Sequence, residues 1–66
     1  MNVLQRIRKQ AGLSQSQLAE QAGVSIRMIQ KYETGERNIN NASAITIYKL
    51  AKALKVTVED LLSTKI

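Results

Sequence analysis

Four residues in the middle of the chain combine useful side-chain chemistry with a spacing that brings them together. They lie one and four positions apart, so on a helix they would share one face: Ile26, Arg27, Gln30 and Lys31. An arginine can donate two hydrogen bonds to O6 and N7 of a guanine, and a glutamine amide can pair with an adenine edge. The chemistry that this face offers is recognition of base edges in the major groove of DNA.

Each of these residues also has a second interpretation. Arg27 could contact a phosphate or remain free in solvent, and Lys31 could reach a guanine or a phosphate, since a flexible ammonium discriminates less sharply than a guanidinium. Ile26 either touches a thymine methyl or covers a turn as a partly buried residue. Gln30 either reaches an adenine or stays in solvent. The sequence leaves these alternatives open.

Binding to DNA also requires phosphate contacts, and several polar residues are candidates for them. A helix that starts near Gln15 and Ser16 would leave backbone amides free there, and such amides bind anions. Gln15 is the strongest candidate for a phosphate clamp. Ser25 could donate to a phosphate, although capping of the next helix also explains it. The other candidates lie in a later loop that could follow the DNA backbone: Arg37, Asn38, Asn40 and Asn41.

The elements that would position these residues are two helices crossing through a tight turn within residues 15–34. Gly23 permits the positive φ of such a turn. Ala19 lies where the helices would approach most closely, so a small side chain is expected at a crossing of roughly 90–120°. The inner faces of the two helices and the turn consist of apolar residues: Leu18, Ala22, Val24, Ile29 and Tyr32.

The whole chain predicts an all-α fold, a compact bundle of five helices. Proline is absent, and helix-forming residues fill the segments between the three glycines. The expected helices cover about residues 3–11, 15–22, 26–34, 42–54 and 58–63. Polar side chains that cap helix starts support three of them: Ser14 with Gln17, Ser25, and Thr57 with Asp60.

The segment between the third and fourth helices, residues 36–41, has no helical period and predicts an ordered loop. Its Ile39 either inserts into the core or is exposed. The fourth helix carries an apolar stripe for the core: Ala44, Ile47, Leu50, Ala51 and Leu54.

Composition narrows the classes of function. A chain of 66 residues forms one domain over residues 1–66, and its net charge of +5 favours a polyanionic partner. Cysteine and histidine are absent, so we expect no enzyme, no metal and no cofactor. We expect no small-molecule ligand in so small a bundle. No apolar run approaches the ~20 residues that span a bilayer and no signal peptide is visible, so we expect a cytoplasmic protein without membrane contact.

Short motifs along residues 7–62 resemble the lambda-repressor-like family of helix-turn-helix regulators, also called Cro/C1-type or XRE (xenobiotic-response-element) regulators. They are Arg8 before GLSQ at 12–15, QLA at 17–19, GVS at 23–25, Ile29 with YETG at 32–35, LAKAL at 50–54 and VTVEDLL at 56–62. The resemblance implies the lambda repressor-like fold, base contacts from Ile26, Arg27 and Lys31, and a phosphate clamp at Gln15. It also implies an ion pair between Arg8 and Glu33.

The resemblance further implies a bacterial or phage-type regulator of transcription that binds double-stranded DNA at the nucleoid. Such proteins are most often repressors that bind inverted repeats as two-fold dimers, with recognition helices about 34 Å apart. Candidate apolar residues for the dimer surface, or simply exposed apolar surface, are Ile45, Tyr48, Val58 and Ile66. Many relatives have glutamine or serine in place of Ile26, so no operator sequence can be carried over. The alternative function is an antitoxin-type protein whose main partner is another protein, with DNA binding for autoregulation.

Overall fold

The computed structural model describes residues 3–62, and the regular structure in that range is helical. The five α-helices are α1 (Val3–Gln10), α2 (Gln15–Ala22), α3 (Ile26–Thr34), α4 (Ala44–Leu54) and α5 (Val58–Leu62), with a 3₁₀ turn at Ile39–Asn41. The predicted all-α fold, with a helix-turn-helix formed by α2 and α3, is confirmed. Ser63, the predicted end of the last helix, lies outside the described residues.

Hydroxyl side chains begin the helices where the sequence predicts them. At α2, Ser14 Oγ accepts from the Gln17 backbone N–H at 3.0 Å, and Gln17 Oε1 accepts from the Ser14 N–H at 2.8 Å. At α5, Thr57 and Asp60 make the same reciprocal pair, both bonds measuring 3.1 Å. Ser25 Oγ accepts one bond from the first turn of α3. Each cap satisfies backbone N–H groups that have no partner within the helix.

The start of α4 differs from the prediction. The helix begins at Ala44 and not near Ala42, because Ser43 Oγ accepts from the Thr46 N–H at 3.2 Å and acts as the cap. Ala44 is exposed, so its predicted place in the apolar stripe is wrong. The first turn of α4 extends beyond the packed core, which on this helix begins with Ile47.

A smaller difference concerns the end of α1. The helix ends at Gln10, one residue before the predicted end, and Ala11 is exposed in the turn that follows. The Ala11 N–H still donates to the Ile7 carbonyl at 3.0 Å. A difference of one residue is normal where a last turn frays.

The core draws one large, fully buried side chain from each of the five helices. These side chains are at most 1% exposed: Leu4, Leu18, Ile29, Leu50 and Leu61. Burying a side chain of this kind contributes about 1.5–3 kcal/mol relative to leaving it in water. Ile39, from the 3₁₀ turn, is half-buried and packs against this core. Of the two alternatives given for Ile39, insertion into the core is the one that agrees with the structure. The helix-turn-helix formed by α2 and α3 is therefore stabilised by a core to which all five helices contribute.

A three-residue turn sets the direction of α3. Gly23 ends α2 with φ +71°, and its N–H donates to the Ala19 carbonyl at 2.9 Å. The Val24 N–H donates to the same carbonyl at 3.1 Å. Only glycine adopts this left-handed conformation without strain. Ser25 then caps α3, so the chain changes direction within residues 23–25.

The end of α4 uses the same left-handed conformation without a glycine. Lys55 has φ +59°, the only positive φ among the non-glycine residues of the described range. The Val56 N–H donates to the Ala51 carbonyl at 3.0 Å, so the helix ends in the usual way. A side chain in this conformation costs about 1–2 kcal/mol.

Candidate nucleic-acid interface

The outer face of α3 brings together the four residues predicted to read bases. We call this set the reading face: Ile26, Arg27, Gln30 and Lys31. It lies opposite Ile29 and Tyr32, which point into the core and are 0% and 6% exposed. The helix is therefore fixed by its inner face, and its long polar side chains remain available on the other side.

The individual side chains on the reading face differ in exposure. Arg27 and Gln30 are exposed, and Lys31 is half-buried. Ile26 is 38% exposed, which is high for a large apolar residue. Its position at the start of α3 allows contact with a groove, since the apolar side chain has no full cover within the domain.

The start of α2 is the region that the sequence predicts to bind an anion. Ser14 Oγ takes the N–H of Gln17, whereas the amides of Gln15 and Ser16 precede the first intrahelical bond. Ser16 is exposed and Gln15 is half-buried. Backbone amides in this position, with the positive end of the helix dipole, attract a phosphate.

A network around Glu33 connects α1, α2 and α3. Arg8 Nε donates to Glu33 Oε2 at 2.6 Å, and Arg8 Nη2 donates to Oε1 at 3.1 Å. Gln15 Nε2 donates to Oε1 at 2.9 Å, and Arg8 Nη1 donates to the Leu13 carbonyl at 2.8 Å. The structure thus brings Arg8 and Glu33 together. The bond from Gln15 was not predicted, because no local rule connects residues 18 positions apart.

The Arg8–Glu33 pair is almost fully removed from solvent. The two side chains are 9% and 3% exposed. The hydrogen bonds to Glu33 raise the pKa of Arg8 above its ordinary value, against the opposing effect of burial. Because two hydrogen bonds join the two charges, burying them together costs less free energy than burying either one alone.

The loop residues predicted to contact phosphate are not connected to the reading face by side-chain hydrogen bonds within residues 3–62. Arg37 is exposed, and its backbone N–H donates to the Lys31 carbonyl at 3.1 Å, which holds the loop against the end of α3. Asn38 Oδ1 accepts from the Asn40 N–H at 2.9 Å and caps the 3₁₀ turn. Within residues 3–62, no hydrogen bond joins the Arg37 or Asn38 side chain to the reading face.

Besides capping α3, the Ser25 hydroxyl can still donate a hydrogen bond. Its Oγ accepts from the Met28 N–H at 3.1 Å. Because a hydroxyl can accept and donate at once, the Ser25 proton remains available to a phosphate. Capping and phosphate contact are compatible at this residue.

The apolar candidates for a dimer surface that lie within residues 3–62 differ in exposure. Ile45 and Tyr48 lie one turn apart on α4 and are 64% and 55% exposed. Lys52 Nζ lies 5.7 Å from the centre of the Tyr48 ring. Val58 is half-buried and packs against the core, and Ile66 lies outside the described residues.

No cluster of three or more histidine, cysteine, aspartate or glutamate side chains within residues 3–62 could hold a metal ion. Each helix in the same range is too short or too polar to cross a membrane.

Two helices joined by a three-residue turn, with polar side chains on the outer face of the second helix, define the class of helix-turn-helix domains. The helix-turn-helix family model matches residues 4–61. The chain belongs to this family, and its resemblance to the Cro/C1-type regulators is confirmed.

The chain is also similar to a protein of Rhodospirillum rubrum, described as an uncharacterized transcriptional regulator in the ATPase CF(0) region. The two are 43% identical over 61 residues, which cover 88% of this chain and 54% of the relative. The chain therefore spans about half the length of this relative. No solved structure matches the chain.

Proposed function

We propose that the chain is a sequence-specific regulator of transcription that binds double-stranded DNA with α3 in the major groove. The proposal rests mainly on the position of the reading face: its side chains lie on the outer side of α3, whose inner side is buried in the core. Membership of the helix-turn-helix family supports it, as does the relative described as a transcriptional regulator. The net charge of +5 favours association with the DNA backbone.

The residues of the reading face would have different roles. Arg27 would donate two hydrogen bonds to a guanine, and Ile26 would contact a thymine methyl. Gln30 and Lys31 would complete the contacts along the groove. Because Arg27 makes no hydrogen bond or ion pair within residues 3–62, its guanidinium can bind without breaking an existing bond.

Contacts with the DNA backbone would fix the position of α3. The proposed phosphate contacts come from the start of α2, the start of α3 and the loop: Gln15, Ser16, Ser25, Arg37 and Asn38. Such contacts set the orientation and the salt dependence of binding, whereas base contacts set the sequence.

The regulator would act as a repressor in the cytoplasm, bound to the nucleoid as a two-fold dimer. Two copies on an inverted repeat would place their α3 helices about 34 Å apart, one turn of DNA. Ile45 and Tyr48 are the exposed apolar residues that we propose for the contact between copies.

Selection of bound duplexes from a random DNA pool tests this function. The experiment uses the purified 66-residue chain at near-physiological salt, where purely non-specific phosphate binding is weak. An inverted repeat with half-site centres one turn apart is the expected result. A folded protein that recovers no common sequence would contradict the proposal and favour a protein partner.

A further inference from the structure

The Glu33 carboxylate receives three hydrogen bonds from two other helices. Two come from Arg8 on α1 and one comes from Gln15, the first residue of α2. The Glu33 side chain is only 3% exposed, so these donors replace water around its oxygens. Gln15, in contrast, is half-buried and lies at the start of α2, where the backbone amides of Gln15 and Ser16 precede the first intrahelical bond.

The bond from Gln15 to Glu33 fixes the orientation of the Gln15 amide group. A primary amide has two N–H donors on nitrogen and only acceptors on oxygen. A phosphate accepts hydrogen bonds, so it can be bound by the nitrogen end of the amide and not by the oxygen end. Because Glu33 Oε1 accepts one N–H of Gln15, it holds the nitrogen end in a fixed position and leaves the second N–H free.

Arg8 makes this arrangement compatible with DNA. A lone carboxylate next to a phosphate would repel it, whereas Arg8 pairs with Glu33 through two bonds of 2.6 and 3.1 Å. The network therefore presents a fixed donor near the α2 start with little net negative charge behind it.

We propose that Glu33 is a positioning residue for DNA binding, which orients the Gln15 amide so that its free N–H donates to a backbone phosphate beside the start of α2. The inference rests on the proposed DNA-binding function. Glu33 does not touch DNA in this arrangement, and its effect passes through Gln15. Ordering the long Gln15 side chain before binding reduces the conformational entropy lost on association.

A double-mutant cycle separates positioning from a purely structural role of Glu33. Dissociation constants are measured on the duplex recovered by the selection, for the unmodified protein, Gln15→Ala, Glu33→Gln and the double variant. Circular dichroism establishes a temperature at which all four are folded. The variant Glu36→Gln is the matched control, since it removes the same charge from an exposed residue just after α3.

The expected losses are not additive. Gln15→Ala should weaken binding about tenfold, the effect of one hydrogen bond to a charged group. Glu33→Gln should weaken binding about threefold alone and leave it unchanged when Gln15 is already alanine. Glu36→Gln should leave affinity unchanged or raise it, because less negative charge faces the DNA. Equal losses from Glu33→Gln in both backgrounds would overturn the inference.

A measurement on the free protein tests the same arrangement without DNA. Nitrogen-15 relaxation of the Gln15 side-chain NH₂ should show restricted motion, and Glu33→Leu, which leaves no acceptor in the side chain, should release it. The exposed Gln30 side chain provides the reference for a mobile amide. If the Gln15 amide moves as freely as that of Gln30, positioning is refuted even where DNA binding is normal. Failure of the unmodified protein to bind DNA would instead refute the proposed function, and the inference with it.

Discussion

Replacement of Arg8 by methionine should destabilise the domain more than any surface substitution. Methionine keeps much of the length of the side chain but removes the guanidinium, so Glu33 loses its two bonds from Arg8. Its carboxylate, in a side chain only 3% exposed, then keeps the single bond from Gln15. The Leu13 carbonyl also loses its donor.

The size of the effect follows from this burial. Removing one partner of a buried ion pair costs about 3–5 kcal/mol, because the remaining charge stays desolvated. A chain of this length has a total free energy of unfolding of about 3–10 kcal/mol. We therefore expect Arg8→Met to lower Tm by at least about 12 °C.

Thermal and urea denaturation, followed by circular dichroism, measure this change. Arg6→Met is the matched control, because Arg6 is an exposed arginine on the same helix. It should alter the free energy of unfolding by no more than about 0.5 kcal/mol. The comparison separates the loss of the buried bonds from the loss of a positive charge on α1.

The double variant Arg8→Met, Glu33→Leu tests whether the unpaired Glu33 carboxylate causes the loss of stability. Replacing both charges by apolar groups removes the unpaired carboxylate, so most of the lost stability should return. If Arg8→Met melts within a few degrees of the unmodified protein, the buried ion pair does not have the stabilising role assigned to it. A double variant as unstable as the single one would show that the unpaired carboxylate is not the cause of the loss.

Three further substitutions test other parts of the structure. Ala19→Leu should cost about 1–3 kcal/mol by overpacking, since Ala19 is 7% exposed in the core beside α3, and an unchanged Tm would contradict this packing. Lys55→Gly should raise the free energy of unfolding by about 0.5–1 kcal/mol in urea denaturation, because glycine adopts φ +59° without strain; a loss of stability would argue against that strain. Arg27→Ala should relax the preference at one base position in a repeated DNA selection, whereas equal weakening on all sequences would assign Arg27 to a phosphate.

The sequence could predict the helix pair because its determinants are local. Ser14 with Gln17 and Thr57 with Asp60 act over three residues, and the spacing alone identifies them. Gly23 ends α2 for an equally local reason. The start of α4 was missed because the asparagines before Ser43 are good capping residues too, so the local pattern offers several starts.

Features imposed by the assembled bundle could not be predicted from the sequence. Lys55 adopts a left-handed conformation although a lysine has no preference for it, so local sequence rules do not identify this helix end. The bond between Gln15 and Glu33 joins α2 to α3, and it exists only once these two helices have packed. The residues of the reading face share a predicted surface, but the bases that they contact depend on a DNA partner.

The different ranges of these contacts have a consequence for the order of folding. The helix caps close over three residues, whereas the Arg8–Glu33 pair joins residues 25 positions apart. Because local contacts form with little loop-closure entropy, the helices should form first, and a helical domain of this kind should fold in microseconds to milliseconds. The long-range ion pair would then form after the rate-limiting step, so its loss should accelerate unfolding and leave refolding almost unchanged. Stopped-flow kinetics on Arg8→Met would contradict this order if refolding slowed instead. In this order of events, the network that orients the start of α2, which we propose as a phosphate contact, would be the last part of the structure to assemble.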